Sequence, residues 1–490
     1  MDDPIITDQK KLAAAQPAPG AGGILLTIFL CVLIPVLSFY APDGYQELGN
    51  RKFEAWRLIA AIFALPLLVI TAVWRIRSHR SEGTASHAGL KQKERGHIRA
   101  VDFFVILYGV FLTVSFLLSY DRAESLWGTT GWRMGYLTEI LFLLYYMFAR
   151  IYPIRFRIVV PVALLSGGGV ILTAILERVG IYPLSWQMPE ATFVSTIGNV
   201  DWYCGYLAMI MSLAAALCLG GRMRERICGA VLFAACVCSA VILGANTGIL
   251  LLISFLPAFL LVIGDRDRTG RLFRALAILL FLGLIGAYFG MLLAFHPAVW
   301  LPDRWYRLFT AGFGNGRGAI WRYAYALFDR LPLWRRFVGV GPDAFARYSY
   351  DDPQLVAVLT ENFGMARLTN AHSELITMLL DEGILTVISY LLLLISALIR
   401  IVRYHSGSAD MGGSQAAVDA EGADREAGSA LTSAAIFAMV SLSVVQAVNF
   451  RTISATPFLF LLIGAAIRET ETGHVREITP SGQDDHEEEE

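Results

Sequence analysis

Residues 202–264 read WYCGYLAMIMSLAAALCLGGRMRERICGAVLFAACVCSAVILGANTGILLLISFLPAFLLVIG. Three apolar runs, 202–220, 227–244 and 248–264, are separated first by a turn carrying Arg222, Arg224 and Arg226 and then by the uncharged Gly244-Ala245-Asn246-Thr247. Runs of roughly 17–25 apolar residues match the hydrocarbon thickness of a bilayer. Basic residues are retained on the cytoplasmic side, so a basic turn followed by a neutral one marks a chain that crosses, returns and crosses again. Each lipid-exposed segment must satisfy its own backbone polar groups, and apolar runs of this length do so as helices. The stretch therefore predicts an all-α, polytopic integral membrane protein.

The rest of the chain extends the pattern. Of 490 residues, 56% are hydrophobic and 17% charged, against about 25% charged in soluble domains. Apolar runs near 23–41, 56–74, 101–119, 136–152, 158–177, 202–220, 227–244, 248–264, 272–295, 374–399, 430–449 and 453–467 predict about twelve spans. The loop 75–100 holds seven Lys and Arg, and the loops on its side of an alternating topology together carry twenty, which places both chain ends in the cytoplasm. The first run follows a polar segment, 1–22, without a cleavage pattern, and reads as an anchor. Net charge of −1 points to no nucleic-acid partner. The six cysteines lack CxxC spacing and read as small hydrophobes.

The polar remainder is uneven. Residues 296–373 form one long loop on the outer side, between nine spans (23–295) and three (374–468), and loops of that length are usually functional. The linker 405–428 and the acidic tail 469–490 read as flexible and cytoplasmic. Inside the long loop, GNGRGAIWRYAYALFDRLPLW (314–334) predicts a glycine turn and then an amphipathic helix with Ile320, Tyr323, Leu327 and Phe328 on one face, ended by Pro332. Gly339, Gly341 and Pro342 mark a further turn. A helix begins within TNAHSELITMLLDEGIL (369–385), with a polar break at Glu382-Gly383.

Gly316-Arg317 with Trp321, Leu331-Pro332, GVGP (339–342), and AHSELI (371–376) followed by Glu382-Gly383 together resemble the C-terminal signature of the O-antigen ligase and polymerase superfamily. STIGNVDWYCGYL (195–207) and WGTTGWRMGYLT (127–138) are similar to two further segments of that family. Ala245-Asn246-Thr247-Gly248 departs from it, since many members have Ser-Arg-Gly or Ser-Arg-Ser there; Asn199-Val200-Asp201 stands for Asn-x-Asn and His372-Ser373-Glu374 for His-Asn-Glu. The resemblance implies a membrane glycosyltransferase that moves glycan from an undecaprenyl-pyrophosphate donor to a glycan, lipid or protein acceptor. It also implies the outer face of the bacterial cytoplasmic membrane, cell-surface polysaccharide synthesis, an inverting displacement, and neither metal nor cofactor.

That chemistry needs a base for the acceptor hydroxyl and fixed positive charge for the pyrophosphate. Of eight histidines, the topology leaves only His296 and His372 outside. His372 heads a membrane-entering helix and is the candidate base; His296 precedes a proline and reads as interfacial. Arg317, at the start of the loop helix, is the first candidate for the leaving group, with Arg133 second. Arg322 and Arg347 are weaker candidates, being equally suited to solvating a helix face or a turn. Glu374 is a candidate to hold the histidine or acceptor hydroxyls, and Asn199, Asp201 and Tyr206 to bind sugar. Trp300, Trp305 and Trp321 suit either sugar stacking or interface anchoring. A transporter of lipid-linked oligosaccharide is the competing reading, although no internal repeat is visible; a non-catalytic scaffold is a third.

Overall fold

The computed structural model describes residues 19–44, 47–85, 100–131, 133–182, 195–264, 268–294, 313–351, 353, 356–357, 360–361, 368–408 and 421–478. Their regular structure is helical. The long helices are α1 (Pro19–Phe39), α2 (Leu48–Ala85), α3 (Ala100–Leu117), α5 (Tyr136–Ile151), α6 (Phe156–Arg178), α7 (Val200–Gly220), α8 (Met223–Leu243), α9 (Asn246–Ile263) and α10 (Arg268–Ala294). They continue with α11 (Phe313–Arg330), α15 (Gly383–Ser408), α16 (Glu421–Ala447) and α17 (Thr456–Ile478). Short helices lie between them: α4 (Arg122–Trp127), α12 (Leu333–Val338), α13 (Phe345–Tyr350) and α14 (Glu374–Asp381).

Among the described residues, ten helices are long and apolar enough to cross a membrane, and the chain is a multi-pass membrane protein. The expectation of twelve is thereby reduced by two. The runs at 136–152 and 453–467 are helical, but α5 has only 16 residues, and α17 turns polar at Arg468, Glu469 and Glu471. Two boundaries also move. Helix α15 continues to Ser408 and α16 starts at Glu421, shortening the 405–428 linker, and α17 carries helix to Ile478 inside the expected tail. His296, Trp300, Trp305 and the central part of the linker lie outside the described residues.

Two helices form the centre. In an 18-residue apolar window of α7 and of α16, 78% of the residues are buried, and the buried residues include many small ones, among them Ala208, Ala214, Ala434, Ala435 and Ala438. Small side chains let helix backbones approach closely where apolar burial gives no advantage over lipid. Around this pair stand α5 with α17, α8, α9 and α1 with α6, while α3 packs on α15 and α10 packs on α9. α10 is the outlier, with 6% of its span buried. The buried Lys52 on α2 donates to the Leu37 carbonyl at 2.5 Å, neutralising the exposed C-terminal end of α1.

The two ends of the bundle differ in chemistry. At one end Arg150 of α5 and Arg400 of α15 both face Glu471 of α17. At the other, the 128–135 loop, the N-terminus of α7, α11, the turn at 339–343, α14 and the 449–455 turn come together. Gly383 and Arg400 lie about 26 Å apart along α15 at the standard helical rise, which gives the separation of the two ends.

Candidate functional site

The motif segments quoted above meet at this second end, and hydrogen bonds explain their residues. Val340 N–H donates to Leu380 O at 3.1 Å and Gly341 N–H to Asp381 O at 2.7 Å, so the GVGP turn splices onto the end of α14. The helix must break there. Gly339 and Gly383 have φ of 76° and 82°, and a Cβ would lie 2.2 Å from Asp381 O in the first case and 2.4 Å from Phe337 O in the second. Neither position tolerates a side chain. Next in sequence, Asp343 Oδ2 accepts the Thr129 and Met134 amides at 2.6 and 3.0 Å, tying the turn to the 128–135 loop. Trp321, fully buried on α11, donates its indole N–H to Ala371 O at 3.0 Å, and so fixes the chain just before His372.

Arg317 and Asp201 form the ion pair of the site. Arg317 Nη2 lies 3.0 and 3.2 Å from the two carboxylate oxygens of Asp201, and both side chains are largely buried. The remaining Arg317 nitrogens are also held: Nε donates to Val448 O and Nη1 to Gly314 O, each at 2.9 Å. Asp201 is fixed by Thr247 Oγ1 at 3.2 Å and, through its backbone oxygen, by Asn449 at 2.8 Å. Thr247 belongs to the stretch where the resemblance leads one to expect an arginine. A guanidinium gripped from α7, α11 and the end of α16 is pre-organised for an anion.

His372 is adjacent. Burial, and after it the Arg317 charge, push its imidazole down to about 4, with Asp201 opposing. It is neutral near pH 7 and able to accept a proton. Its ring packs edge-on against Phe450, and Asn370 Oδ1 accepts its backbone N–H at 2.9 Å. Its φ of 48° is left-handed. Arg133, Ser195 and Asp343 have φ of 56°, 53° and 55°, so four of the five non-glycine residues in this region of backbone space among those described fall within or beside the motif segments. Such conformations each cost on the order of 1–3 kcal/mol and persist where surrounding structure imposes them.

Other candidates are placed elsewhere. Asn199 caps α7, accepting the amides of Asp201 and Trp202, a role that accounts for its residue type. Tyr206 is buried along α7 and shares a 2.8 Å hydrogen bond with Ser38. Arg133 donates to Asn50 at 3.1 Å and lies over Phe53. Arg347 is half-exposed between Asp121 and Asp351. Arg322 is five residues beyond Arg317, on a different face of α11. Glu374 faces away from the histidine. Its Oε1 lies 2.8 Å from Arg451 Nε, and its Oε2 accepts the Arg451 amide at 2.8 Å.

In the sequence, Arg451 is a lone positive charge between the last two apolar runs. It is 1% exposed, lies 2.7 Å from Glu139 and donates to Tyr108 at 2.9 Å. One signal pointed to it: it is the only charged residue between Glu426 and Arg468, and ionisable residues in apolar surroundings are retained for a partner or a function.

An apolar cavity of about 500 Å³ leads from the Arg317 pair into the helix bundle. Phe281, Ile285 and Phe289 of α10 form one wall and Leu391, Leu394, Ile395 and Leu398 of α15 the other, with Val440 and Val444 of α16 as its floor; Arg317, Trp321 and Tyr288 stand at its head. Because α10 is barely buried, the wall it forms borders the lipid.

No protein-family model matches the chain, and no curated protein matches it in sequence. Among the described residues, no three His, Cys, Asp or Glu side chains are grouped to hold a metal ion.

Proposed function

We propose that the protein is a membrane glycosyltransferase acting on a polyprenyl-pyrophosphate-linked glycan at the outer face of the cytoplasmic membrane. The observation that carries this reading is the joining of one long lipid-bordering apolar cavity to a buried guanidinium at its head. The apolar lining suits the first isoprene units of such a lipid, and its pyrophosphate then falls beside Arg317, where the lost hydration of the charge is replaced by fixed donors. The acceptor hydroxyl attacks the anomeric carbon as the sugar–phosphate bond breaks. The hydroxyl proton goes to His372, and the electron pair of the broken bond stays on the pyrophosphate. Anion binding offsets the Arg317 charge that depresses His372, so the donor strengthens the base that acts on it. Asp201 and Thr247 position the arginine.

A second reading, a transporter of lipid-linked oligosaccharide, draws support from the buried Arg451–Glu139–Glu374 group, since enclosed ionisable groups line transport paths in many membrane proteins. Purified wild type, His372→Ala and Arg317→Ala in proteoliposomes, given a lipid-linked glycan and candidate acceptors, separate the two. Glycan transferred by wild type and not by the variants supports the enzyme; glycan moved between leaflets without leaving its lipid supports the transporter. Undiminished transfer by a well-folded His372→Ala protein removes the base.

A further inference from the structure

Behind α14, a cavity of about 30 Å³ is lined by five carboxyl groups, Glu139, Asp343, Glu374, Asp381 and Glu382, around Arg451. Each of the six residues is more than nine-tenths buried. If all ionised, the chamber would carry four net negative charges out of contact with water, and a single unpaired buried charge already costs many kcal/mol. One guanidinium neutralises only part of this. It is shared by Glu139 and Glu374, while Asp343 takes two backbone amides. That leaves Asp381, which takes the single backbone amide of Phe345, and Glu382. Asp381 Oδ1 and Glu382 Oε2 have no hydrogen-bond partner among the described residues, and both residues line the cavity.

The groups facing this pair are Tyr108 of α3, Glu139 of α5, Asp343 of the 339–343 turn, the Phe345 amide of α13, Glu374 of α14 and Arg451 of the 449–455 turn, over which Tyr390 of α15 lies. Arginine apart, none of them brings positive charge. The missing charge must be bound from outside. The cavity has room for about one water molecule, and a proton needs no more space than the carboxyl oxygens themselves provide. We infer that the chamber is a proton-binding site, in which Asp381 and Glu382 each hold a proton at neutral pH as hydrogen-bond donors into the cavity. This holds whether the protein is a transferase or a transporter. It also makes the α14–α15 break sensitive to pH, because the Asp381 backbone oxygen that receives Gly341 belongs to one of the two proton carriers.

Infrared spectra of the purified protein test it through the C=O stretch of protonated carboxyl groups. At pH 7 the wild type is expected to have this band, Asp381→Asn and Glu382→Gln each to lose part of it, and the double variant to lose more than either. Replacing choline by sodium at constant pH is expected to leave it unchanged. A double variant whose band equals that of the wild type overturns the proposal, as does loss of the band on adding sodium, which would assign the site to a metal cation. The wild type alone supplies a second measurement in case the variants do not fold. Denaturation at pH 7 exposes both carboxyls and that of Asp343, which burial pushes up to about 8; all three then ionise, so about three protons are released per chain. Release of about one or fewer, which Asp343 alone accounts for, overturns the proposal.

Discussion

Arg317 and Asp201, 116 positions apart in the chain, are joined by two contacts of 3.0 and 3.2 Å between one guanidinium nitrogen and both carboxylate oxygens. The pair fastens α11 to the start of α7 at the head of the apolar cavity. Arg317→Ala is expected to lower glycan transfer by about 10²–10³-fold, in the range for removal of a fixed transition-state donor. Arg317→Lys is expected to recover little, because an ammonium cannot serve Asp201, Val448 O and Gly314 O together. Transfer rates in proteoliposomes, with circular dichroism as a check on folding, measure both.

Burial first and the same arginine second set the pH profile through His372. With the free imidazole at about 4, kcat/KM is expected to hold from pH 8 to about 5 and fall below that as the base protonates. The acid limb of kcat is expected at higher pH than that of kcat/KM, because bound pyrophosphate favours the imidazolium. Arg317→Gln should raise the kcat/KM limb, since it removes a charge that depresses the histidine. His372→Ala should cost about 10²–10⁴-fold. Coincident limbs in wild type and Arg317→Gln would dissociate the two residues.

Filling the cavity should weaken donor binding without touching the charged groups. Ser443 lines it, and Ser443→Trp is expected to raise KM for a long-chain polyprenyl donor by at least tenfold, with little change for a short-chain analogue. An equal effect on both would place the lipid elsewhere.

Asp343 links stability to pH. Burial pushes it up to about 8 against the Thr129 and Met134 amides, which favour the ionised form, whereas in the unfolded chain its value is about 3.9. The folded state thus binds the extra proton between these limits, and its contribution is full below about 4 and declines as pH rises to about 8. Asp343→Asn is expected to flatten this part of the Tm profile. Asp343→Ala, which strands two buried amides, should cost about 2–4 kcal/mol at any pH.

Arg451 is the most consequential structural charge. Arg451→Met leaves Glu139 and Glu374 buried without a counter-charge and is expected to destabilise by about 3–5 kcal/mol; adding Glu139→Gln and Glu374→Gln should restore much of that. Thermal unfolding in detergent decides between this and an independent role for each residue.

Composition and hydropathy determined that this is a multi-pass helical membrane protein, and they located ten candidate spans with ends that shift by up to nine residues. They also placed the breaks: the Gly-Pro turn at 339–342 and the Glu382-Gly383 interruption are legible because glycine, proline and charge act on the local backbone. The resemblance singled out segments that do meet at one end of the bundle. What the sequence could not determine is which charges face each other. Glu374 stands two residues from His372 and yet serves Arg451, and Tyr108 reaches that arginine across 343 positions. Asn199, read as a sugar ligand, spends its side-chain oxygen on a helix cap. Hydropathy is a sum over neighbours in the chain, whereas ion pairing in a low-dielectric interior depends on how helices far apart in sequence pack. Tertiary structure alone therefore separated the Arg317–Asp201–His372 group, at the lipid-bordering cavity, from the buried acidic cluster behind it.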